Sequence, residues 1–419
     1  MNPISQSHKT KLAIIVPEML PVPPVKGGAV EHWVHEVANR LDAERFDISI
    51  ISRPSGENIA GRIRYVGIPW TTLEKACYWL KERVSWRNPL RYLAKFQNVM
   101  SYGLRLNRQV QAADILIVHN EPNLLLLMHK PKHQQWVLHM HNNHLNHALF
   151  KWCYQRALQK VDMVICVSAY IQQAAVKTFP QHADKFKVLF NATDTEVFKP
   201  YGEIATLTVN TLLQFTQATP YVLYVGRLTQ EKGVDVLIQA FQQTLTSHPN
   251  AKLVITGSSF FEGAAKTTYQ QSLQELAKPI AEHIVFTGFI PHHQLKYLYA
   301  AAHVVVLPSV WQDPCPLVVL ETMASGTCIV ASKVGGVPEV IDHEVNGVLV
   351  NPNQVDELAT ALNDLLQHPD KAQQLASAAR QKMLDGYAWE HLVSKLEQRL
   401  MTLACLTSSG TTLSGPDLS

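Results

Sequence analysis

The sequence predicts an α/β protein made of two doubly wound domains, each built around a parallel sheet. Three observations lead to this prediction. Short, continuously apolar runs recur along the 419-residue chain, as expected for strands that are buried on both faces of a sheet. Longer segments with helical periodicity separate these runs. The alternation occurs twice, on either side of a polar, Thr-rich segment, which indicates two domains rather than one large sheet.

The strand-like runs fall into two series of similar length. The first series contains KLAIIVP (11–17), DISIISR (47–53), DILIVH (114–119), WVLHMH (136–141), MVICVS (163–168) and KVLF (187–190). The second series contains YVLYVGR (221–227), KLVITG (252–257), HIVFTGF (283–289), VVVLPS (304–309), CIVAS (328–332) and GVLV (347–350). Because helical patterns fill the gaps, each series predicts repeated strand–helix units.

These patterns also suggest domain boundaries. We expect an N-terminal domain over residues 1–198, a linker over 199–220 and a C-terminal domain over 221–385. We expect the helical C-terminus, about residues 386–404, to pack back in part on the N-terminal domain. The tail, residues 405–419, is rich in Ser, Thr and Gly, and we expect it to be disordered.

The composition narrows the class of protein. Apolar residues make up 47% of the chain and charged residues 17%, as in soluble globular proteins. The net charge of +3 is too small to indicate a nucleic-acid partner. The six cysteines include no CxxC pair, which favours free thiols in a reducing compartment. The polar N-terminus lacks a signal core, and no apolar stretch is long enough to span a membrane, so we expect a cytoplasmic protein.

Candidate ligand-binding residues follow the predicted strands, because ligands of open α/β sheets bind beyond the carboxyl ends of the strands. Gly27 and Gly28 precede a helix, where backbone amides can face an anion. In the second half, Arg227 follows a strand, and Lys232 and Gly233 open a helix; together they suit a diphosphate. Each feature taken alone also fits a simple alternative, an ordinary turn for the glycines and solvated surface cations for Arg227 and Lys232.

The segment QDPCPLVVLE places two acids around an apolar run. Glu321 lies inside a predicted helix, where a carboxylate is costly unless it is hydrogen-bonded. The paired hydroxyls of a ribose would be suitable partners, and Asp313 on the preceding loop could accept from another hydroxyl. The alternative is a helix N-terminal acid at Asp313 and a surface acid at Glu321.

These segments resemble the conserved motifs of the family 4 retaining glycosyltransferases. The resemblance is carried by GGAVEHW, DILIVHN, LHMHN, NATDTEVF, VGRLTQEKGVDVLIQAF, LPSVWQDPCPLVVLETMASG and GGVPEVIDHEVNGVLV, and it covers about residues 11–400. It implies the GT-B fold, in which two Rossmann-like domains face each other across a cleft. Within the family, PEMLPVPPVKGGAVEHW is most similar to bacterial spore-coat or surface-polysaccharide glycosyltransferases.

The resemblance implies roles toward the nucleotide diphosphate of a sugar donor. Gly28, preceded by Gly27, matches the glycine whose backbone amide approaches the diphosphate. Arg227 and Lys232 match the pair of cations that neutralises the diphosphate as it leaves. Glu321 matches the second glutamate of the family's E-x7-E motif, which holds the ribose.

The resemblance also implies which residues contact the sugar. Asp313 matches the first glutamate of that motif, which contacts the donor sugar, and Leu317 and Val318 follow it in the donor site. His141 matches a histidine near the donor sugar. Three further residues occupy motif positions with no assigned role: Asp194, Ser309 and Glu339.

The chain departs from the family pattern beside Asp313. The family usually has Glu-Pro-Phe-Gly where this chain has Asp313, Pro314, Cys315 and Pro316. Asp is one methylene shorter than Glu, and Pro316 offers no N–H. A missing donor opposite a buried hydroxyl costs about 1–3 kcal/mol. We therefore expect this protein to differ from the family in its contacts with the sugar rather than with the nucleotide.

The expected activity is retaining transfer of a hexose-type sugar from a nucleotide-diphospho-sugar to a saccharide or lipid-linked acceptor in surface glycan biosynthesis. We expect no cofactor and no metal, because no Asp-x-Asp is present, although His139, His141, His144 and His147 lie close together in sequence. Alternatives are a nucleotide-sugar epimerase, a phosphorylase, or a non-catalytic coat or surface protein with the same fold. The changes at Asp313 and Pro316 favour the last of these.

One basic stretch suggests an additional partner. Residues 71–108 contain eight Lys or Arg against two Glu, interleaved with aromatic and aliphatic residues. Such a segment can bind an anionic membrane surface, which would make the protein peripheral on the inner face of the plasma membrane. The alternative is a helical pair that packs on its own domain. We do not expect nucleic acid, because no recognition motif accompanies the basic residues.

Overall fold

The computed structural model confirms the predicted fold class. It describes residues 9–25, 28–56, 61–84, 88–146, 150–215, 219–257 and 267–409. The chain forms two compact units, the first containing residues 1–167, 171–189 and 393–419, and the second containing residues 168–170 and 190–392. Each unit has one parallel sheet, and helices lie between most of the successive strands.

The sheet of the first unit has seven strands among the described residues. They are β1 (Thr10–Ile15), β2 (Phe46–Ser52), β3 (Arg64–Gly67), β4 (Ile115–His119), β5 (Gln135–Met140), β6 (Met163–Cys166) and β7 (Phe186–Val188), in the order β3-β2-β1-β4-β5-β6-β7. Ile14 of β1 pairs with Ile50 of β2 on one side and Ile117 of β4 on the other. All three side chains are buried, as expected for central strands covered on both faces.

Six helices accompany this sheet among the residues that the structure describes. They are α1 (Ala29–Arg40), α2 (Thr72–Arg83), α3 (Pro89–Val110), α4 (Leu124–Leu127), α5 (Lys151–Lys160) and α6 (Ala169–Thr178). The sequence specifies two of their starts locally. Thr71 and Glu74 form a capping box at α2, and the side chain of Asn88 caps α3 with Pro89 as its first residue.

The sheet of the second unit has six strands among the described residues. They are β8 (Tyr221–Val225), β9 (Lys252–Thr256), β10 (Ile284–Gly288), β11 (Val304–Leu307), β12 (Cys328–Ser332) and β13 (Val348–Val350), in the order β10-β9-β8-β11-β12-β13. Every predicted strand of this half is present. The sheet order reverses beside β8, so the loops after β8 and β11 lie at the position where open α/β sheets bind ligands.

In the part of the chain that the structure describes, nine helices accompany this sheet or follow it. They are α7 (Glu203–Leu213), α8 (Val234–Thr244), α9 (Thr268–Ala277), α10 (His292–Ala301), α11 (Leu317–Ala324), α12 (Val337–Val340), α13 (Val355–Gln367), α14 (Pro369–Gly386) and α15 (Trp389–Ser409). The core beneath them is apolar, with Val234, Leu237 and Phe241 of α8 all inaccessible to solvent. The helical pattern after residue 353 in the sequence corresponds to α13, α14 and α15.

The predicted linker differs from the structure. Residues 199–220 contain α7, which packs on α10 through the buried residues Ala205 and Val209. Threonines make this segment look irregular in sequence, yet Thr208 and Thr211 donate to carbonyls one turn earlier, at 2.7 and 2.9 Å. Such bonds allow a hydroxyl side chain to remain within a helix. The first unit reaches only Leu189 before this region, rather than residue 198.

The last helix extends further than expected. α15 continues to Ser409, whereas the sequence predicts disorder from residue 405. From Val393 onward it belongs to the first unit, where Leu396 and Leu400 are fully buried. Glu397 accepts the backbone N–H of Asp42 at 2.6 Å. Residues 410–419 lie outside the described residues.

Three smaller features of the fold concern an edge strand, the cysteines and the character of the helices. The edge strand β3 was not predicted, because RYVG is short and its side chains are exposed or half-buried rather than fully buried. All six cysteines are free thiols, and Cys166, Cys315 and Cys328 are buried. Among the described residues, no helix combines the length and the apolar character that crossing a membrane requires.

Candidate functional site

The predicted residues Lys232 and Asp313 form an ion pair in the second unit. The ammonium of Lys232 donates to Oδ2 of Asp313, and both side chains are largely buried, with 17% and 13% of their surface exposed. They are 81 positions apart in sequence. Gly233 makes this approach feasible: its φ is +64°, and a Cβ there would lie 2.1 Å from the carbonyl oxygen of Pro308.

A second glycine pair fixes the loop that carries Asp313. Gly335 has φ +53°, and a Cβ on it would lie 2.1 Å from the carbonyl oxygen of Asp313. The N–H of Gly336 donates to that oxygen at 2.9 Å, and the N–H of Gly335 donates to Oε1 of Gln312 at 2.7 Å. Ser309 lies on the other side, with Oγ 3.4 Å from Oδ2 of Asp313. The GGVPEV segment therefore supports the Asp313 loop.

Arg227 follows β8 but is less constrained than Lys232. Its guanidinium is 3.1 Å from Oε1 of Glu231, and 54% of the side chain is exposed. Its backbone is held by the buried Tyr224, whose hydroxyl donates to the Arg227 carbonyl at 2.8 Å. Arg227 therefore presents a positive charge to solvent at the end of the strand, as a cation that meets a soluble anion requires.

Glu321 is a buried carboxylate with two side-chain donors. Only 5% of the residue is exposed. Nε2 of His292 lies 2.7 Å from Oε1, and the hydroxyl of Tyr299 donates to Oε2 at 3.0 Å. Burial and the nearby carboxylate raise the pKa of Tyr299 well above its usual value. These bonds explain how an acid can occupy an apolar helix.

His292 and Tyr299 were missed in the sequence, although a signal is present. They are seven residues apart on α10, a spacing that places both on one face of a helix. That face meets Glu321 on α11. A histidine and a tyrosine at this spacing suggest a shared polar partner, but only the packing of α10 on α11 identifies it.

The first turn of α11 has backbone N–H groups without an acceptor inside the helix. Pro316 is the N-cap and provides no side-chain cap. The amides of Leu317 and Val318 are the first two of the helix, so they have no acceptor within it. Cys315 is buried, its carbonyl accepts from the side chain of Asn191 at 3.1 Å, and burial raises the pKa of its thiol to about 12. Cys315 therefore replaces the family's phenylalanine as a core residue.

In the first unit, the backbone at position 28 requires a glycine. Gly28 has φ +108° and is the N-cap of α1, and a Cβ there would lie 2.2 Å from Oε2 of Glu31. Glu31 is 4% exposed, and burial raises the pKa of its carboxyl group. The sequence does not single out Glu31, because an acid in the first helical turn is common. Gly27 lies outside the described residues.

His141 belongs to a cluster of three histidines in the first unit. It lies with His119 and His139 at the carboxyl ends of β4 and β5, and Nδ1 of His119 is 2.9 Å from Nε2 of His141. Burial lowers the pKa of His141 to about 3 and lowers those of the other two imidazoles well below their usual range. All three are therefore neutral near pH 7. Asn120, at φ +55°, accepts the backbone N–H of His141 at 2.7 Å.

The cluster differs from the one visible in sequence. His119 comes from a different strand, 22 positions before His141. His144 begins a short 3₁₀ turn, with Nδ1 3.5 Å from the carbonyl of Asn120. His147 lies outside the described residues. Only the pairing of β4 with β5 brings His119 beside His139.

Two of the motif positions without a predicted role have structural partners in the second unit. Glu339 accepts the backbone N–H groups of Ala169 and Tyr170, both at 2.6 Å. Asp194 accepts the backbone N–H groups of Glu196 and Val197 at 3.0 and 2.9 Å. Asp194 therefore binds backbone of its own turn, whereas Glu339 binds the backbone at the start of α6, a segment about 170 positions earlier in the sequence.

Comparison with known proteins identifies the family. The sequence model of the family described as Glycosyl transferases group 1 matches residues 213–382. The sequence model of the family described as Glycosyltransferase Family 4 matches residues 27–197. The chain is 28% identical to spore coat protein SA of Bacillus subtilis over 395 residues, covering 92% of this chain and 98% of the relative. It is 25% identical to the lipopolysaccharide 1,2-N-acetylglucosaminetransferase of Salmonella typhimurium over 398 residues, covering 93% and 98%.

Solved structures show the same fold. The crystal structure of Anabaena HepE in complex with UDP-glucose has a TM-score of 0.71 and 19% sequence identity, and the match covers 93% of this chain and 99% of HepE. The two matched models together span most of the chain, one on each side of its midpoint. This chain therefore belongs to the glycosyltransferases of the family 4 type, with the GT-B fold.

Proposed function

We propose that this protein transfers a hexose-type sugar from a nucleotide-diphospho-sugar to a saccharide or lipid-linked acceptor, with retention of the anomeric configuration, in surface glycan biosynthesis. The Lys232–Asp313 ion pair is the observation that carries the proposal. A Lys ammonium has three N–H donors, so it can keep Asp313 and still bind a phosphate oxygen. Asp313 in turn can accept from a sugar hydroxyl. The pair thus suits the junction between sugar and phosphate, where the bond breaks.

The proposed chemistry depends on charge that develops on the leaving group. As the bond between the anomeric carbon and the phosphate oxygen breaks, the diphosphate gains negative charge. Lys232 and Arg227 would stabilise that charge, and the amides of Leu317 and Val318 would add donors. Because fixed cations supply this stabilisation, we propose that the reaction requires no metal and no cofactor. A phosphate oxygen would take the proton of the acceptor hydroxyl, which then attacks from the face that the diphosphate leaves.

Nucleotide recognition would use the buried Glu321. Its two carboxylate oxygens are held by His292 and Tyr299, so the acid is preorganised rather than free to rotate. A carboxylate oxygen has more than one lone pair and can accept a ribose hydroxyl in addition to these donors. Two supporting observations come from relatives: HepE is described with UDP-glucose, and the Salmonella relative is an N-acetylglucosaminetransferase.

Gly28 and His141 lie in the first unit, and their roles toward the donor remain predictions from the family resemblance.

We further propose that the protein is cytoplasmic and attaches to an anionic membrane surface through residues 71–108. Apart from residues 85–87, which lie outside the described residues, this segment forms α2 and α3. It exposes six large apolar side chains, each with about half or more of its surface in solvent: Leu73, Trp79, Leu90, Leu93, Phe96 and Leu104.

The test is a panel of UDP-, GDP- and ADP-hexoses with the parent protein and with Lys232→Met. We expect the parent to release nucleoside diphosphate and the variant to lose about 10²–10³-fold in kcat, as for removal of one donor to a developing anion. Lys333→Met, an exposed lysine of the same unit, is the matched control and should keep parental activity. NMR of the product reports the anomeric configuration.

Other outcomes of the same panel would contradict the proposal. Epimerisation of the donor without transfer indicates an epimerase, and strict dependence on inorganic phosphate indicates a phosphorylase. Binding without turnover for every donor favours a non-catalytic coat or surface protein. A folded Lys232→Met variant with parental kcat removes Lys232 from the reaction.

A further inference from the structure

The cluster formed by His119, His139 and His141 has the composition of a metal site. Each residue offers one imidazole nitrogen, and these three nitrogens all lie within 4.8 Å of one another. The three side chains come from the carboxyl ends of the adjacent strands β4 and β5, so the sheet itself holds them together. Sites built on strands are more precise than sites built on flexible loops.

The distance between one pair of these nitrogens is close to the distance expected between two ligands of a coordinated ion. Imidazole nitrogens bind Zn²⁺ at about 2.0–2.1 Å, so two nitrogens of a tetrahedral site lie about 3.4 Å apart. The observed separation between Nδ1 of His119 and Nε2 of His141 is 2.9 Å. A metal ion would replace this imidazole–imidazole hydrogen bond by opening the pair about half an ångström.

Unpartnered nitrogens are the second, independent observation. Among the described residues, Nε2 of His119 and both ring nitrogens of His139 are buried without a hydrogen-bond partner. Buried polar atoms are normally paired, because an unpaired buried donor or acceptor costs about 1–3 kcal/mol. A neutral imidazole has one nitrogen with a free lone pair and one N–H, so His139 can offer one of its two unpartnered nitrogens to a ligand that accepts a lone pair.

The surroundings of the cluster favour one metal class. Trp33 packs against all three rings, with centroid distances of 5.3, 4.5 and 5.7 Å to His119, His139 and His141. The candidate ligand set contains no carboxylate. Neutral imidazoles suit Zn²⁺, Co²⁺, Ni²⁺ and Cu²⁺, whereas Mg²⁺ and Ca²⁺ prefer oxygen ligands. His141 is the least buried of the three, so a fourth position would open on its side.

We propose that His119, His139 and His141 bind a borderline divalent transition metal such as Zn²⁺ through three imidazole nitrogens. The site is distinct from the Lys232–Asp313 pair and does not depend on the proposed transfer reaction. If His141 contacts the donor sugar as the resemblance implies, the metal would occupy the same nitrogen and oppose that contact. Binding, rather than activity, is therefore the informative measurement.

The experiment titrates Co²⁺ into tag-free full-length protein that has been stripped with a chelator. We expect the visible absorption of tetrahedral Co²⁺ to saturate at one equivalent and to be abolished when Zn²⁺ displaces the cobalt. Zn²⁺ should also raise the Tm, because a ligand that binds only the native state stabilises it. Mg²⁺ should change neither the spectrum nor the Tm.

Three variants distinguish this site from binding by other histidines. His139→Gln and His141→Gln should each abolish the saturable cobalt spectrum, whereas the exposed His133→Gln should keep it. Circular dichroism of each metal-free variant confirms folding. Should His139→Gln fail to fold, the less buried His141→Gln decides the matter. A parent protein without a tetrahedral spectrum overturns the proposal, and so does a folded His141→Gln variant that keeps the spectrum.

Discussion

At the residue scale, the Lys232–Asp313 pair contains an aspartate where the family pattern has a glutamate. An aspartate reaches less far from its backbone than the family's glutamate. The Asp313 backbone is nevertheless fixed, because Gly335 and Gly336 pack directly against it. The carboxylate therefore lies closer to its own backbone than a glutamate carboxylate would, and Lys232 still contacts it. We expect the shorter side chain to leave space for a sugar substituent or a water molecule.

Restoring the longer acid should change the choice of sugar. We expect Asp313→Glu to shift kcat/KM by different factors for different hexoses on the same nucleotide, while the affinity for free nucleotide stays unchanged. Asp313→Asn should lower kcat more than it raises KM, because we propose that the charge of Asp313 acts mainly in the transition state. Steady-state kinetics with several donors tests both variants. One common factor for all donors would show that Asp313 does not discriminate between sugars.

Glu321 should act on the nucleotide even when no sugar is attached. Hydrogen bonds to charged groups contribute about 1.5–3 kcal/mol, so Glu321→Gln should weaken binding of the free nucleoside diphosphate by about 10–100-fold. Isothermal titration calorimetry gives the Kd. Tyr299→Phe removes one support of the carboxylate and should have a smaller effect in the same direction. Glu282→Gln, at an exposed acid of the same unit, is the control.

Equal Kd values for the parent and for a folded Glu321→Gln variant would exclude the ribose contact. Glu321 would then be a buried structural acid that binds only His292 and Tyr299.

At the scale of elements, α2 and α3 combine a buried, ion-paired face with an exposed apolar surface. Inside, Glu74 of α2 is fully buried and pairs with Arg53 at 3.2 Å and with Arg105 of α3 at 2.5 Å. Outside, Leu93 and Phe96 expose 62% and 53% of their surface. The packed-helix alternative and the membrane proposal are therefore compatible, because they concern opposite faces of the same helices.

The exposed face should bind anionic vesicles. We expect the parent to sediment with phosphatidylserine vesicles at low salt and to be released as salt is raised, because screening shortens the attraction. Lys75→Glu with Arg83→Glu should reduce binding, since both cations are exposed. Arg91 is unsuitable for this purpose, because it donates to the carbonyls of Lys81 and Val84 at the end of α2.

Lys132→Glu, at an exposed lysine elsewhere in the first unit, is the matched control and should bind as the parent does. No sedimentation of the parent at low salt would contradict the membrane proposal and would leave α2 and α3 as packing elements only.

At the scale of the whole molecule, the buried histidines connect the candidate site to stability. Their pKa values are lowered in the folded protein, so the unfolded chain binds more protons below its own pKa of about 6.5. The contribution of each neutral imidazole is therefore complete above that pH. It is lost progressively as the pH falls, by about 1.4 kcal/mol per pH unit for each group that must stay neutral.

We expect the free energy of unfolding of the metal-free protein to fall steeply below about pH 6. His141→Gln should decrease this slope by about 1.4 kcal/mol per pH unit, because one titrating group has been removed. Denaturant titrations in the presence of a chelator measure the effect, with exposed His133→Gln as the control. An identical slope in His141→Gln and the parent would mean that His141 is not held neutral in the folded state.

Patterns within short segments were sufficient to predict much of the architecture. Twelve apolar runs predicted twelve of the strands, because a strand buried on both faces must be apolar along its whole length. Thr-rich α7 escaped prediction because its hydroxyl groups bond back to the helix, and β3 escaped because it is an exposed edge. The order of strands in each sheet also required the structure.

The sequence by itself determined the two α/β units, the family to which the chain belongs and the candidate residues that follow the strands. These features depend on local composition, because apolar runs, glycines and charged residues determine the structure of the segment that contains them. The tertiary structure alone decided which distant side chains meet: Lys232 with Asp313, Glu321 with His292 and Tyr299, and His119 with His141. The physical reason is that parallel strands and packed helices bring together residues from separate segments, and no local pattern specifies that pairing.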